Sequence, residues 1–477
     1  MLKDTQWTRG SSLERVRSRW VPGLVAGAFF MENLDGTVIT TAIPDMARSF
    51  GTVPADLSVG ISAYLLTLAV FIPISGWMAD RFGVRRVFAS AVAVFTAASV
   101  LCGLSHSLGQ FTSARVLQGV GGAMMVPVGR LAVLRTAEKS ALVHAVAMLV
   151  WPGLVAPILG PLVGGLITTY WGWRWIFFLN VPLGVAALGL TLVLMRGEPD
   201  APRRFDLLGF VLAGLGCSGL MYAMELVGRS SVERALVSFF VGATAMGAAI
   251  VHFLRSPHPL VDLSTLRFHT FAVSQRGGSF SAIAVYSAPF LLPLLFQVGL
   301  GMSPVASGSL LLFLFGGNLT MKPATTWILR RLGFRRVLLV NGLLLMGGFI
   351  ACSFLRLGTP PMVIALVLFA CGLCRSMQFT AFNTIAFADV PPPEMSAAST
   401  LFSALGKMTA GVGVALGAMA LHAIQSVRGT RGDPLSVTDF RFVFLLMALV
   451  AGIALTDVWH LPHDAGAEVS GHRPGSD

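Results

Sequence analysis

The sequence predicts an all-α polytopic membrane protein with two related six-helix halves, and three observations carry that expectation. The first is composition: 55% of the 477 residues are hydrophobic and 12% charged, whereas soluble domains carry about 25% charged residues. Mean hydropathy is +0.76. The second is the recurrence of apolar runs close to the ~20 residues a helix needs to cross the hydrocarbon core. The third is internal repetition. The basic loop Gly76 to Val87 returns 250 positions later as Thr326 to Val337. Trp77, Arg81, Gly83, Arg85, Arg86 and Val87 are matched in register by Trp327, Arg331, Gly333, Arg335, Arg336 and Val337. Arg115 and Gln118 recur 260 positions later as Arg375 and Gln378. Two echoes at nearly one offset, each in or beside an apolar run, mark a duplicated bundle.

Fourteen spans are expected, near 20–40, 57–78, 87–107, 111–134, 141–168, 175–195, 207–228, 235–254, 279–299, 304–328, 336–356, 361–388, 397–424 and 440–459. The repeat offset equates the second span with the tenth and the fourth with the twelfth. Residues 20–195 and 279–459 are then the two halves, and 196–278 hold a linker with Pro199 and Pro202 followed by two inserted spans. Residues 1–19 form a cytoplasmic N-terminal segment, and 460–477, rich in Gly, His, Asp and Ser, are expected to be a disordered cytoplasmic tail. With both termini inside, inner segments hold about 21 Lys and Arg and outer loops about 8, the asymmetry the positive-inside rule requires of an inner-membrane protein. The first run contains Glu32 and Asp35 and lacks a small-residue cleavage site, so it reads as a retained span.

Several function classes drop out. A net charge of +12 and a pI near 10.4 do not signal nucleic acid, because the basic residues are scattered through short loops. Cys102, Cys217, Cys352, Cys371 and Cys374 all lie in apolar runs, which argues for packing rather than disulfides. No Gly-rich phosphate loop with Lys and Ser or Thr is present, so ATP-driven transport is not expected. The histidines lack metal-ligand spacing, and no cofactor, metal site or enzyme constellation is expected. A lipid-modifying enzyme would want clustered His and Asp, and a sensor would want a soluble signalling module; the sequence offers neither.

Four motifs carry the functional expectation. In the first span, Leu34, Asp35, Gly36, Thr37 and Val38 precede Ala42, Ile43 and Pro44. Between spans two and three stand Gly76, Asp80, Arg81, Gly83, Arg85 and Arg86. Span four carries Arg115, Gln118, Gly119 and Gly122, of which Arg115, Gln118 and Gly122 share a face. Span five carries Ala156, Pro157, Gly160, Pro161, Gly164 and Gly165, a kinked helix with a period-four stripe of small residues. Together these resemble the major facilitator superfamily, in particular its fourteen-span drug:proton antiporter branch, over nearly the whole chain. Thr40 stands where that branch usually has Asn, and Ala156 replaces a glycine of its antiporter signature. The resemblance implies export of a small-molecule substrate against protons, from within the lipid bilayer. An adaptor and outer-membrane partner occurs in some relatives, and no adaptor-binding element is identified here. It also implies a gating role for the Asp80, Arg81, Gly83, Arg85 and Arg86 loop, as a charged latch between the halves; the plainer role for Arg85 and Arg86 is to set topology.

Ionisable residues within spans are few, and each is costly to place there. Glu32 and Asp35 share one helix face in the first half, where burial and mutual repulsion favour proton binding; they are the candidate proton-coupling pair, led by Asp35. The alternative is that one acid simply pairs with Arg115, or that Arg115 snorkels to the outer interface. The second half supplies Asn318, Lys322, Arg375, Gln378, Asn383 and Lys407, donors without a carboxylate, as candidate cavity residues beside Arg115 and Gln118. Phe379 and Phe382 could add apolar contact. The cations suggest a substrate that is at least partly anionic, such as a carboxylate or metal-carboxylate metabolite; otherwise they pair with helix carbonyls or with Asp35 and Glu32 across the interface.

Overall fold

The structure is a computed structural model that describes residues 4–136, 142–195, 205–227, 232–391, 394–430, 433–462 and 464–470. Among the described residues every regular element is helical, as required where lipid offers backbone groups no hydrogen-bond partner. The first six expected spans fall on α1 (Asp4–Val38), the short α2 (Ile43–Phe50), α3 (Ser58–Phe71), α4 (Ser75–Phe82), α5 (Val84–Leu104), α6 (Leu108–Thr136), α7 (Leu142–Tyr170), α8 (Trp175–Phe178) and α9 (Asn180–Leu194). The expected inserted pair falls on α10 (Leu207–Leu226) and α11 (Val232–Arg255). The remainder comprises α12 (His269–Leu294), α13 (Pro304–Thr320), α14 (Lys322–Ser353), α15 (Pro361–Ile385), α16 (Met395–Val427), α17 (Val437–Trp459) and α18 (Ala467–Ser470).

Eleven helices among the described residues are long and apolar enough to cross a membrane, with Val155–Tyr170 and Pro304–Thr320 as shorter apolar helices. The expected fourteen crossings exceed that number. One expected boundary also moves. The run 304–328 breaks where α13 ends at Thr320, because Pro323, at the start of α14, lacks the N–H that would continue the ladder. The same event occurs 250 positions earlier, where Pro73 sits in a tightened turn between α3 and α4. Gly83 and Gly333 then take φ of 86° and 72°, a left-handed turn that a side chain would strain, so α14 is two helices joined at Gly333. The duplication read from the basic loop therefore extends to its backbone.

Helices α10 and α11 pack on each other through glycine. A Cβ added at Gly219 would lie 2.7 Å from the Gly242 Cα, and one at Gly216 2.8 Å from the Met246 nitrogen. Such close approach provides dispersion contact where no hydrophobic drive exists between helices in lipid. Asp206, just outside α10, caps it by accepting from the Gly209 amide at 2.9 Å and the Leu260 amide at 3.0 Å, with His252 Nε2 2.7 Å away. Burial favours its neutral form, yet these hydrogen bonds prevail and hold the carboxyl below the usual carboxylate range.

The linker residues 196–204 lie outside the described residues, as do 471–477. The expected disorder of the tail does not extend through 464–470. Leu461 is buried in the cluster around Phe334, Gly466 stacks on the Phe334 ring and α18 follows.

Candidate transport site

Two buried charge clusters organise the interior, and they divide the Glu32 and Asp35 pair. Asp35 turns away from the central cavity. Its Oδ2 accepts from Arg115 Nη1 at 2.6 Å, and its Oδ1 accepts from Gln118 Nε2 at 2.9 Å and Asn180 Nδ2 at 2.7 Å. Arg115 Nη1 also donates to Gln118 Oε1 at 2.6 Å, and Gln118 Nε2 donates to Ser99 Oγ at 2.8 Å. The Arg115 guanidinium lies 4.1 Å from the centroid of the Tyr64 ring, a geometry in which the ring face attracts a cation. Arg115 is fully buried, so it does not snorkel to an interface; its partner is Asp35. The face shared by Arg115, Gln118 and Gly122 ties α6 to α1, α3 and α5, and α9 joins the network through Asn180, which donates to Asp35 and Ser99. A Cβ at Gly122 would meet the Tyr64 hydroxyl at 3.2 Å.

Glu32, one turn earlier, faces a central cavity of about 530 Å³. Its Oε1 lies 3.6 Å from Lys407 Nζ on α16, and its Oε2 is buried without a hydrogen-bond partner. Walls come from α1, α3 and α7 on one side and α12 through α16 on the other, with Asn318, Lys322 and Arg375 among the lining residues. Lys322 Nζ donates to Thr380 Oγ1 at 3.0 Å. The Arg375 guanidinium lies 5.5 Å from the Phe315 centroid and 6.0 Å from that of Tyr286, and its Nη1 is buried without a hydrogen-bond partner. Gln378 is held by Asn341 Nδ2 at 2.7 Å and lines, with Asn383, Phe379 and Phe382, a side pocket of about 70 Å³. Phe379 also faces the central cavity.

A second cavity of about 590 Å³ shares Glu32, Asn33, Gly153, Ser403 and Lys407 with the first and extends past Arg130 to Gly76, the end that bears the basic loop. The opposite end is tightly packed. There the stripe on α7 does its work: a Cβ at Gly160 would lie 2.0 Å from Thr37 Oγ1, one at Gly164 2.3 Å from the Val38 carbonyl oxygen and one at Gly165 2.6 Å from that of Pro304. Reciprocally, a Cβ at Gly308 would lie 2.3 Å from the Pro161 oxygen. Gln297 Nε2 donates to the Thr41 oxygen at 3.0 Å, and His422 Nε2 lies 3.2 Å from Asp56 Oδ1. Pro157 lines the cavity directly. Gly164→Val is expected to lower stability by about 1–3 kcal/mol, the cost of overpacking. Gly189→Val, where nothing stands within 4 Å of the added Cβ, is the control in a thermal denaturation series; equal behaviour of the two would contradict the packing role.

Of the predicted gate residues, Arg85 Nη2 donates to the Leu192 oxygen at 2.6 Å, closing the end of α9 within the first half. Arg335, its repeat partner, donates to the Trp459 oxygen at 2.9 Å at the end of α17. Arg85 thus caps a helix whose carbonyls lack intrahelical donors. Arg81 and Arg86 are exposed and Asp80 is half-buried. Sequence reasoning missed Asn180, Ser99, Tyr64, Asn341 and Thr380. A lone amide within an apolar run was the available signal for Asn180 and Asn341; nothing marked the others.

Known proteins bear on this arrangement. "Putative multidrug resistance protein MdtD" of Citrobacter koseri is 34% identical over 451 residues, covering 94% of this chain and 95% of that protein. The protein of the same name from Escherichia coli strain K12 / DH10B is 34% identical over 459 residues, covering 95% and 97%. Among solved structures, a bacterial homolog of the human lysosomal transporter Spinster, inward-facing and unoccupied, superposes with a TM-score of 0.66 at 16% identity, covering 96% of this chain and 99% of that one. An auto-inhibited POT family peptide transporter gives 0.67 at 15% identity, covering 92% and 96%. These two show the fold alone. The profile of the Major Facilitator Superfamily matches residues 25–418, and with relatives this similar along nearly its full length the chain is a multi-pass membrane transporter belonging to that superfamily.

Proposed function

We propose that the protein is a proton-coupled exporter of amphipathic small molecules, working by alternating access in the inner membrane. The observation that carries this reading is Glu32, a buried carboxyl at the wall of the central cavity, held by one loose contact to Lys407 from the other side. A carboxyl so placed binds either a proton or a cationic group but not both, which is the exclusion that antiport requires. The halves 20–195 and 279–459 rock about this site, with 196–278 as linker and inserted pair. The termini and the basic loops are cytoplasmic, so the cavity opens inward. The sequence-based leading role of Asp35 passes to Glu32, because Asp35 is neutralised by Arg115 away from the cavity. The second-half cations favour a substrate with an anionic group.

The test is efflux from proteoliposomes across a panel of cationic, neutral and anionic compounds. Concentrative efflux that stops when the pH gradient is collapsed supports coupling, whereas concentration that continues contradicts it. Asp80 acts in the same cycle as a gate residue. Asp80→Asn is expected to slow transport several-fold while leaving equilibrium binding within about two-fold. Lost binding at normal expression would contradict the gating role.

A further inference from the structure

We infer that the central cavity recognises amphoteric molecules, with a protonated amine and a carboxylate on one apolar body; this deepens the exporter reading and rests on it. Glu32 on α1 and Arg375 on α15 both line this cavity, and each carries one side-chain atom, Oε2 and Nη1, that is buried without a hydrogen-bond partner. One is an acceptor with negative charge and the other a donor with positive charge. Leaving such groups unmatched is costly, and a ligand toward which both side chains turn recovers that cost at each end. Between them the wall is aromatic, with Tyr286, Phe290, Phe315, Phe379 and Phe402, and the volume of about 530 Å³ is within the range for drug-sized ligands.

Charge decides against the two simpler classes. Lys322, Arg375 and Lys407 face one carboxylate, Glu32, so a lipophilic monocation enters a cavity with a formal excess of positive charge. A simple anion fails for another reason. It would bind more tightly when Glu32 is protonated, since the cavity is then more positive, and proton and substrate would be carried together rather than exchanged. An amine on Glu32 competes with the proton, and a carboxylate on Arg375, reinforced by Lys322, provides affinity without disturbing that competition. Lys407 holds Glu32 Oε1 while the site is empty.

The test uses three forms of one skeleton: biphenylalanine, its methyl ester, which keeps only the amine charge, and its N-acetyl derivative, which keeps only the carboxylate. Equilibrium binding to the purified full chain in lipid nanodiscs is measured without a gradient. Biphenylalanine is expected to bind about ten-fold or more tightly than either derivative, the worth of one charged hydrogen bond. Arg375→Gln should bring it down to the ester's affinity, and Glu32→Gln to that of the N-acetyl form. Equal or tighter binding of either derivative to the unaltered protein overturns the inference, as does the absence of binding by all three; neither outcome depends on a variant that folds. Gradient-driven export measured on the same preparation separates the two readings. Export of the ester without charge discrimination sinks this inference alone, while discrimination without gradient-driven movement sinks only the coupling.

Discussion

Asp35→Asn is expected to destabilise the protein by about 3–5 kcal/mol, the cost of removing one partner of a buried ion pair. Arg115 has no exposed surface, and Asp35 is its only ion-pair partner among the described residues. An asparagine keeps an acceptor but leaves the guanidinium charge uncompensated in a low-dielectric interior. The cost of a charge within a span would by itself make the same substitution nearly neutral for folding. The partner reverses that expectation. Asp35→Asn combined with Arg115→Gln should recover much of the loss, since the lone charge is gone and Gln118, Asn180 and Ser99 can still satisfy amides. Denaturation midpoints in detergent check both. An unchanged midpoint for the single variant would show that the pair contributes nothing to the fold.

Glu32→Gln is expected to reduce gradient-driven export to the level of protein-free liposomes while leaving stability nearly unchanged. Its contact with Lys407 is 3.6 Å and the lysine side chain is 39% exposed, so the lysine left behind is hydrated by the cavity and the penalty seen for Arg115 does not arise. What disappears is the only cavity-lining carboxyl among the described residues. Without it no proton competes with the substrate, so downhill exchange of substrate across the membrane should persist as uphill export fails. Uphill export by Glu32→Gln at the rate of the unaltered protein would assign the proton to another group.

The fold class and much of the repeat were legible because both are written in local chemistry. Pro73 and Pro323 stop a helix wherever they occur, Gly83 and Gly333 permit the turn, and the arginines that follow mark one membrane side. The small-residue stripe on α7 was legible as close packing, though its partners, Thr37, Val38 and Pro304, were not, since contacts between helices distant in sequence leave no periodic trace. The split between Glu32 and Asp35 was hidden for the same reason. Their three-residue spacing puts them on one face, but whether a carboxylate meets Arg115 or an open cavity depends on how α6 and α9 pack against α1. Thr380 and Tyr64, ordinary residues in apolar runs, gained their roles only from that packing.

Competition between proton and substrate at Glu32 is tested most directly by proton release on binding. Biphenylalanine is added to the purified protein in weakly buffered solution, and the pH change is followed across the neutral range. The account predicts that binding releases protons wherever Glu32 of the empty site is protonated, so that release grows and affinity weakens as the pH falls, and that Glu32→Gln releases none at any pH. Binding with no proton release, or release undiminished in Glu32→Gln, would contradict it.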